Sequence, residues 1–225
     1  MPSNPALFNR WAWIRSPLFF FSVSSFLAIS VIVILGYTAS IDQEIISTIK
    51  KLHEDGVANL LMVRLSFLGD TSSLLFLAIV LAIIRRTRRV GMILLCSTLI
   101  IIILAMYIKI IIGREMPPSF SATFNNDSLN QNVEEEPVST SARNLSYPSI
   151  HMAIAACFAY LVRVRLKPKH RVPSSLIWLY PILVGASRLY VLQYYVTDLA
   201  GGFLMGLIIG ISMNNMLRVN ALPTK

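Results

Sequence analysis

Long uncharged runs alternate with short basic segments along this chain, and six of the runs read as membrane spans. They are Pro17 to Thr38, Ser66 to Ile84, Val90 to Ile112, Pro148 to Val164, Ser174 to Leu192 and Val196 to Met216. About 20 apolar residues carry a helix across the hydrocarbon core. The segment from Ile41 to Asp55 is patterned differently. Ile41, Ile45, Ile46, Ile49 and Leu52 share one helical stripe, while Lys50, Lys51, Glu54 and Asp55 cover the other face and Gly56 follows. That pattern predicts an amphipathic helix lying in the membrane interface. The expected fold is all-α: a six-span transmembrane bundle with an interfacial helix between spans one and two, forming a single integral membrane domain over residues 1–225.

Composition sharpens this picture. The chain is 55% hydrophobic and 14% charged, too apolar for a soluble domain of 225 residues. Its net charge of +9 does not mark a nucleic-acid binder, because the basic residues sit between the apolar runs. Arg10 and Arg15 precede span one, and Arg85, Arg86, Arg88 and Arg89 join spans two and three. Arg163, Arg165, Lys167, Lys169 and Arg171 join spans four and five, and Arg218 and Lys225 follow span six. With six spans all four clusters fall on one side, predicted to be cytoplasmic together with both termini. A multi-pass protein of the plasma membrane is expected. The first run carries no small-residue cleavage site and reads as a retained span. Cys96 and Cys157 lie inside apolar runs and read as buried free thiols.

The opposite side receives the loop over residues 113–147, rich in Ser, Asn and Thr and carrying Glu115, Asp127, Glu134, Glu135 and Glu136. A helical connection of that length reads as a lid or a disordered segment. Two sequons, at Asn126 and Asn144, fall in it, where glycosylation would be sterically possible.

Candidate chemistry gathers at the ends of the later spans. The first segment runs from Lys109 through Arg114 and Met116 to Pro117; the second is Pro148, Ser149, Ile150, His151; the third is Ser187, Arg188, then Tyr194 and Asp198. Taken in order, these segments resemble the phosphate site of the type 2 phosphatidic acid phosphatase and haloperoxidase superfamily, in its integral-membrane lipid phosphatase branch. The family pattern is a lysine, six residues and Arg-Pro; then Pro-Ser-Gly-His; then Ser-Arg, five residues, a histidine, three residues and an aspartate. Here Met116 stands in place of the arginine, Ile150 in place of the glycine and Tyr194 in place of the second histidine.

The resemblance implies a site for a lipid phosphate or diphosphate at the outer membrane face, with phosphatidic acid and polyprenyl diphosphates the family's usual substrates. Lys109 and Arg188 would supply charge, and arginine suits a bidentate grip on phosphate. Ser149, Ser187 and the N-terminus of the fourth span would add donors, and Arg114 would substitute for the arginine missing at Met116. His151 would act as general acid. In the family the second histidine attacks phosphorus and the aspartate orients it; here those positions are Tyr194 and Asp198. No cofactor and no metal are implied.

Simpler readings stand beside these. Lys109 reads equally as a snorkelling lysine, Asp198 or Thr197 as a helix cap, and Tyr194 and Tyr195 as members of an interfacial aromatic belt. The chain holds only His53, His151 and His170, and His170 falls on the basic side, away from the site. A phenol with an ordinary pKa of about 10 is a poor nucleophile at neutral pH, and loss of a covalent nucleophile costs about 10⁴ to 10⁶ in rate. The readings that remain are a slow phosphatase using His151 with Tyr194 or water, a non-catalytic lipid-phosphate binder, and, more remotely, a transporter.

Overall fold

The structure, a computed structural model, describes residues 16–52, 62, 65, 71–85, 87–118, 144–165 and 175–216. Among them are seven helices: α1 (Pro17–Ile34), α2 (Ala39–Leu52), α3 (Thr71–Ile83), α4 (Arg88–Ile112), α5 (Ile150–Arg165), α6 (Leu179–Tyr190) and α7 (Val196–Met216). The fold is all-helical, as the apolar runs predict. Of these, α1, α4 and α7 are long and apolar enough to cross a membrane, and α3 and α5 are shorter apolar helices. Several sequence expectations lie outside the described residues: Arg10 and Arg15, His53 to Gly56, Ser66 to Asp70, Arg86, the Asn126 sequon, Lys167 to Arg171, Ser174, Arg218 and Lys225.

Local chemistry sets the boundaries. Pro17 occupies the first turn of α1 and the Ser16 hydroxyl accepts the Phe19 N–H at 3.3 Å, a conventional N-cap. The helix stops at Ile34, earlier than the apolar run does, because Gly36 adopts φ +74° and turns the chain into α2. α4 ends where Gly113, at φ +65°, donates its N–H to the Lys109 carbonyl at 2.8 Å. α6 ends in a Schellman turn with Leu192 in the left-handed region at φ +61°. The Gln193 N–H returns to the Arg188 carbonyl at 3.1 Å and the Leu192 N–H to that of Leu189 at 3.0 Å. A leucine there bears about 1–2 kcal/mol of backbone strain that glycine would not, and its side chain is buried in return.

At the centre α5 packs against α7. Gly202 and Gly206 permit this contact. A Cβ added at Gly202 would lie 2.4 Å from the Ser149 carbonyl oxygen, and one at Gly206 would lie 2.1 Å from that of Ala153. Small residues four apart let two backbones approach where lipid offers no hydrophobic drive between helices. Around this pair, Ile101 and Ala105 of α4, Ala153, Ile154 and Cys157 of α5, and Met205 and Ile209 of α7 form the core, with Leu74 and Ala78 of α3. The outward faces stay apolar: Phe20 and Phe21 of α1 and Ile110 and Ile111 of α4 are exposed, as a lipid-facing surface requires. Both cysteines are free, but only Cys157 is buried; Cys96 is exposed on α4, contrary to the expectation that both are buried.

Candidate active site

The end of α4, the start of α5, the end of α6 and the start of α7 meet at one end of the bundle. Arg85, Arg88, Arg89 and Arg163 belong to the opposite helix ends, and the 25 residues of α4 separate the two ends by about 37 Å at 1.5 Å per residue. Two extended segments cover the site end. Glu115 pairs with Leu145 in an isolated antiparallel bridge. The Met116 N–H donates to the Asn144 carbonyl at 2.9 Å and the Ser146 N–H to the Arg114 carbonyl at 2.7 Å. Both ends of the long loop are thus pinned beside the site. Tyr147, fully buried, reaches α1: its hydroxyl lies 2.8 Å from that of Ser30. Burial raises the Tyr147 phenol above its ordinary pKa, so it is neutral here.

The sequence-predicted residues divide into two groups. The first centres on Tyr194, which is only 2% exposed. That burial removes it from any interfacial aromatic belt. Its hydroxyl lies 3.2 Å from His151 Nδ1, and the two rings meet edge to face at 5.8 Å. The Lys109 ammonium lies 5.6 Å from the centre of the Tyr194 ring. Lys109 is 3% exposed and donates to the Leu145 carbonyl, so it points inward and does not snorkel to the interface. Arg188, also buried, donates from Nη1 to Gln193 Oε1 at 2.8 Å, next to Tyr194 in sequence.

The second group centres on Arg114 and departs from the expectation. Arg114 does not stand open as a phosphate ligand. Its Nη2 donates to Asp42 Oδ2 at 2.6 Å, and its Nη1 donates to Asp198 Oδ1 at 2.8 Å and Thr197 Oγ1 at 2.6 Å. Its guanidinium also lies over the Tyr195 ring at 4.2 Å. Thr197 in turn donates from its hydroxyl to Asp42 Oδ2 at 2.6 Å. The pinned extended segment holds Arg114 against α2 and the start of α7, where two buried carboxylates take the fork.

Asp198 combines an ion pair with a cap. Its Oδ2 accepts the Tyr195 N–H at 2.9 Å, reaching back over the first turn of α7 as the third residue of a capping box does. Its backbone carbonyl accepts the Ser149 N–H at 3.1 Å and ties α7 to α5. Ser149 itself caps α5, its hydroxyl accepting the Met152 N–H at 3.4 Å. The Ser187 hydroxyl donates to the Val184 carbonyl of its own helix at 2.8 Å. Burial raises the Tyr195 phenol, with Arg114 opposing, so this ring too is a neutral π face. Among the described residues no three His, Cys, Asp or Glu side chains cluster as metal ligands would.

Sequence reasoning missed Asp42, which looked like one more polar position of an amphipathic helix. The available signal was an aspartate on the flank of the isoleucine stripe. It also missed Gly202, Gly206 and Gly210, although their spacing of four is plain in the sequence.

The structure is a helical bundle of the membrane-protein class with cationic and imidazole side chains gathered at the ends of four helices, and comparison names the family. The model of the PAP2 superfamily matches residues 90–221, more than half of the chain, and the chain belongs to that superfamily. Among solved structures it resembles the crystal structure of "the first transmembrane PAP2 type phosphatidylglycerolphosphate phosphatase from Bacillus subtilis", with a TM-score of 0.70 and 24% identity, over 89% of this chain and 96% of that one. At this identity the likeness shows a shared fold. No curated protein matches the chain. The protein is a multi-pass integral membrane protein with the lipid-phosphatase fold.

Proposed function

We propose that this protein holds the phosphate or diphosphate of a membrane lipid at the Lys109 end of the bundle and hydrolyses it slowly. The observation that carries the reading is the position of Tyr194. The phenol stands where the family pattern has its nucleophile, 3.2 Å from His151 and beneath the Lys109 ammonium. Lys109 and Arg188 supply positive charge for the phosphate, and the N-terminus of α5, capped by Ser149, adds backbone donors. His151 protonates the departing oxygen. Phosphorus is attacked either directly by a water or by Tyr194, whose proton passes to His151 and on to the leaving oxygen; in the second case a water then cleaves the phosphotyrosine and releases phosphate with the phenol restored. Turnover is slow because the family's nucleophilic histidine is missing, a loss that costs about 10⁴ to 10⁶ in rate.

A second reading, a non-catalytic lipid-phosphate binder, draws support from Asp198. In the family pattern this aspartate orients the nucleophile, whereas here its oxygens accept Arg114 and the Tyr195 N–H. Phosphate release by purified protein, measured over a panel that includes phosphatidic acid and a polyprenyl diphosphate, separates the two. Slow release that is lost in His151→Ala supports hydrolysis. Binding without release supports the binder, and neither binding nor release rejects both.

The site faces the outer leaflet and both termini are cytoplasmic in this proposal. The arginines at the far helix ends, Arg85, Arg88, Arg89 and Arg163, favour that orientation. An impermeant thiol reagent applied to intact cells should label a cysteine placed in the loop over residues 113–147 and not one placed at Arg85. The reverse pattern rejects the orientation.

A further inference from the structure

The amphipathic helix α2 reaches the site through one side chain. Asp42, in its first turn, is 1% exposed, while the neighbouring Ile41 is 60% exposed. The buried side of α2 therefore includes Asp42 and Ile46 and leaves Ile41 outside, which inverts the usual sorting of carboxylate and isoleucine. Burying a carboxylate is costly unless it is paired and hydrogen-bonded. Asp42 is both: its Oδ2 accepts Arg114 Nη2 and the Thr197 hydroxyl, each at 2.6 Å.

The chain of contacts continues into the site. Arg114 grips Asp198 at 2.8 Å, and Asp198 holds the Tyr195 N–H at 2.9 Å through its side chain and the Ser149 N–H at 3.1 Å through its carbonyl. Tyr195 directly follows Gln193 and Tyr194, which bond Arg188 and His151. One guanidinium thus fixes the turn between α6 and α7 and the start of α5, and α2 supplies the carboxylate that fixes the guanidinium.

We propose that Asp42 is a positioning residue for the lipid-phosphate site, acting through Arg114 on Asp198 and the turn that carries Tyr194. The role rests on the lipid-phosphate reading given above. It makes α2 a structural part of the site and not only a membrane-surface anchor. Charge alone argues for the opposite sign: a carboxylate near the pocket repels a phosphate, and its removal should tighten binding. A positioning role predicts weaker binding on removal, so the two accounts are separable.

The test uses the full chain in detergent micelles with Asp42→Asn, Asp42→Glu, Arg114→Gln and the double variant Asp42→Asn/Arg114→Gln. Amide hydrogen exchange and affinity for dioctanoyl phosphatidic acid are measured on each. Asp42→Asn should speed exchange over residues 193–199 by about tenfold and weaken the lipid affinity by about tenfold. Asp42→Glu should recover part of both, and the double variant should exchange no faster than Arg114→Gln alone. Faster exchange confined to α2, or unchanged or tighter lipid binding in Asp42→Asn, overturns the proposal. If the unmodified protein does not bind the lipid, the lipid-phosphate reading fails and the positioning role for that site fails with it. The exchange data then still report whether α2 is coupled to the turn.

Discussion

Arg114 lies between two buried carboxylates, while in the neighbouring group Lys109 donates to the Leu145 carbonyl and Arg188 to the Gln193 amide oxygen. The first cluster joins α2, the pinned loop and α7, and its donors and acceptors interlock through Asp42, Thr197 and Asp198. The second packs around Tyr194, with Lys109 donating to the Leu145 carbonyl and the Tyr194 hydroxyl beside His151. The contrast separates two tasks at one end of the same bundle. A closed ion network fixes backbone segments, whereas the second cluster gathers the groups that the proposed lipid-phosphate site would use.

Substitutions should divide along the same line. The largest loss of stability is expected from Arg114→Met, which strands Asp42 and Asp198 as buried carboxylates. Breaking a buried ion pair by removing one partner costs about 3–5 kcal/mol. Thermal unfolding in micelles measures this, and a loss under about 1 kcal/mol would erase the distinction.

Lys109→Met should do the reverse. Replacing a buried cation by an apolar chain of similar length should leave stability within about 1 kcal/mol. Affinity for phosphatidic acid should nevertheless fall by about tenfold or more. Lost stability with intact lipid binding would move Lys109 into the structural cluster. The smallest effect is expected at Tyr195, where the ring and not the hydroxyl faces Arg114. Tyr195→Phe should be nearly silent in unfolding, and Tyr195→Leu should cost about 0.5–1 kcal/mol. Equal losses in both would place the contribution in the hydroxyl.

Much of the fold was legible because lipid imposes one rule on long apolar runs: they become helices. The stops were less legible, because α1 ends at a positive-φ glycine inside its apolar run and α6 ends on a left-handed leucine, which no turn signal announces. The gathering of Lys109, His151, Arg188 and Asp198 at one end followed from motif order along alternating helices. The partners of Arg114 did not follow, because a carboxylate on an amphipathic helix looks solvated until its neighbour is known. For Tyr194 the sequence leaves both the nucleophile position and an interfacial aromatic belt open; packing shows the ring enclosed.

The central claim is that the site remains a lipid-phosphate site with a phenol at the nucleophile's position, and Tyr194→His tests it most directly. An imidazole at that position is unprotonated at neutral pH in useful amount and can attack phosphorus. Phosphate release from phosphatidic acid or a polyprenyl diphosphate should rise by about 10²-fold or more over the unmodified protein. His151→Ala in the same background should abolish the gain by removing the general acid. A folded Tyr194→His variant that binds phosphatidic acid and releases no more phosphate than the unmodified protein would contradict the account.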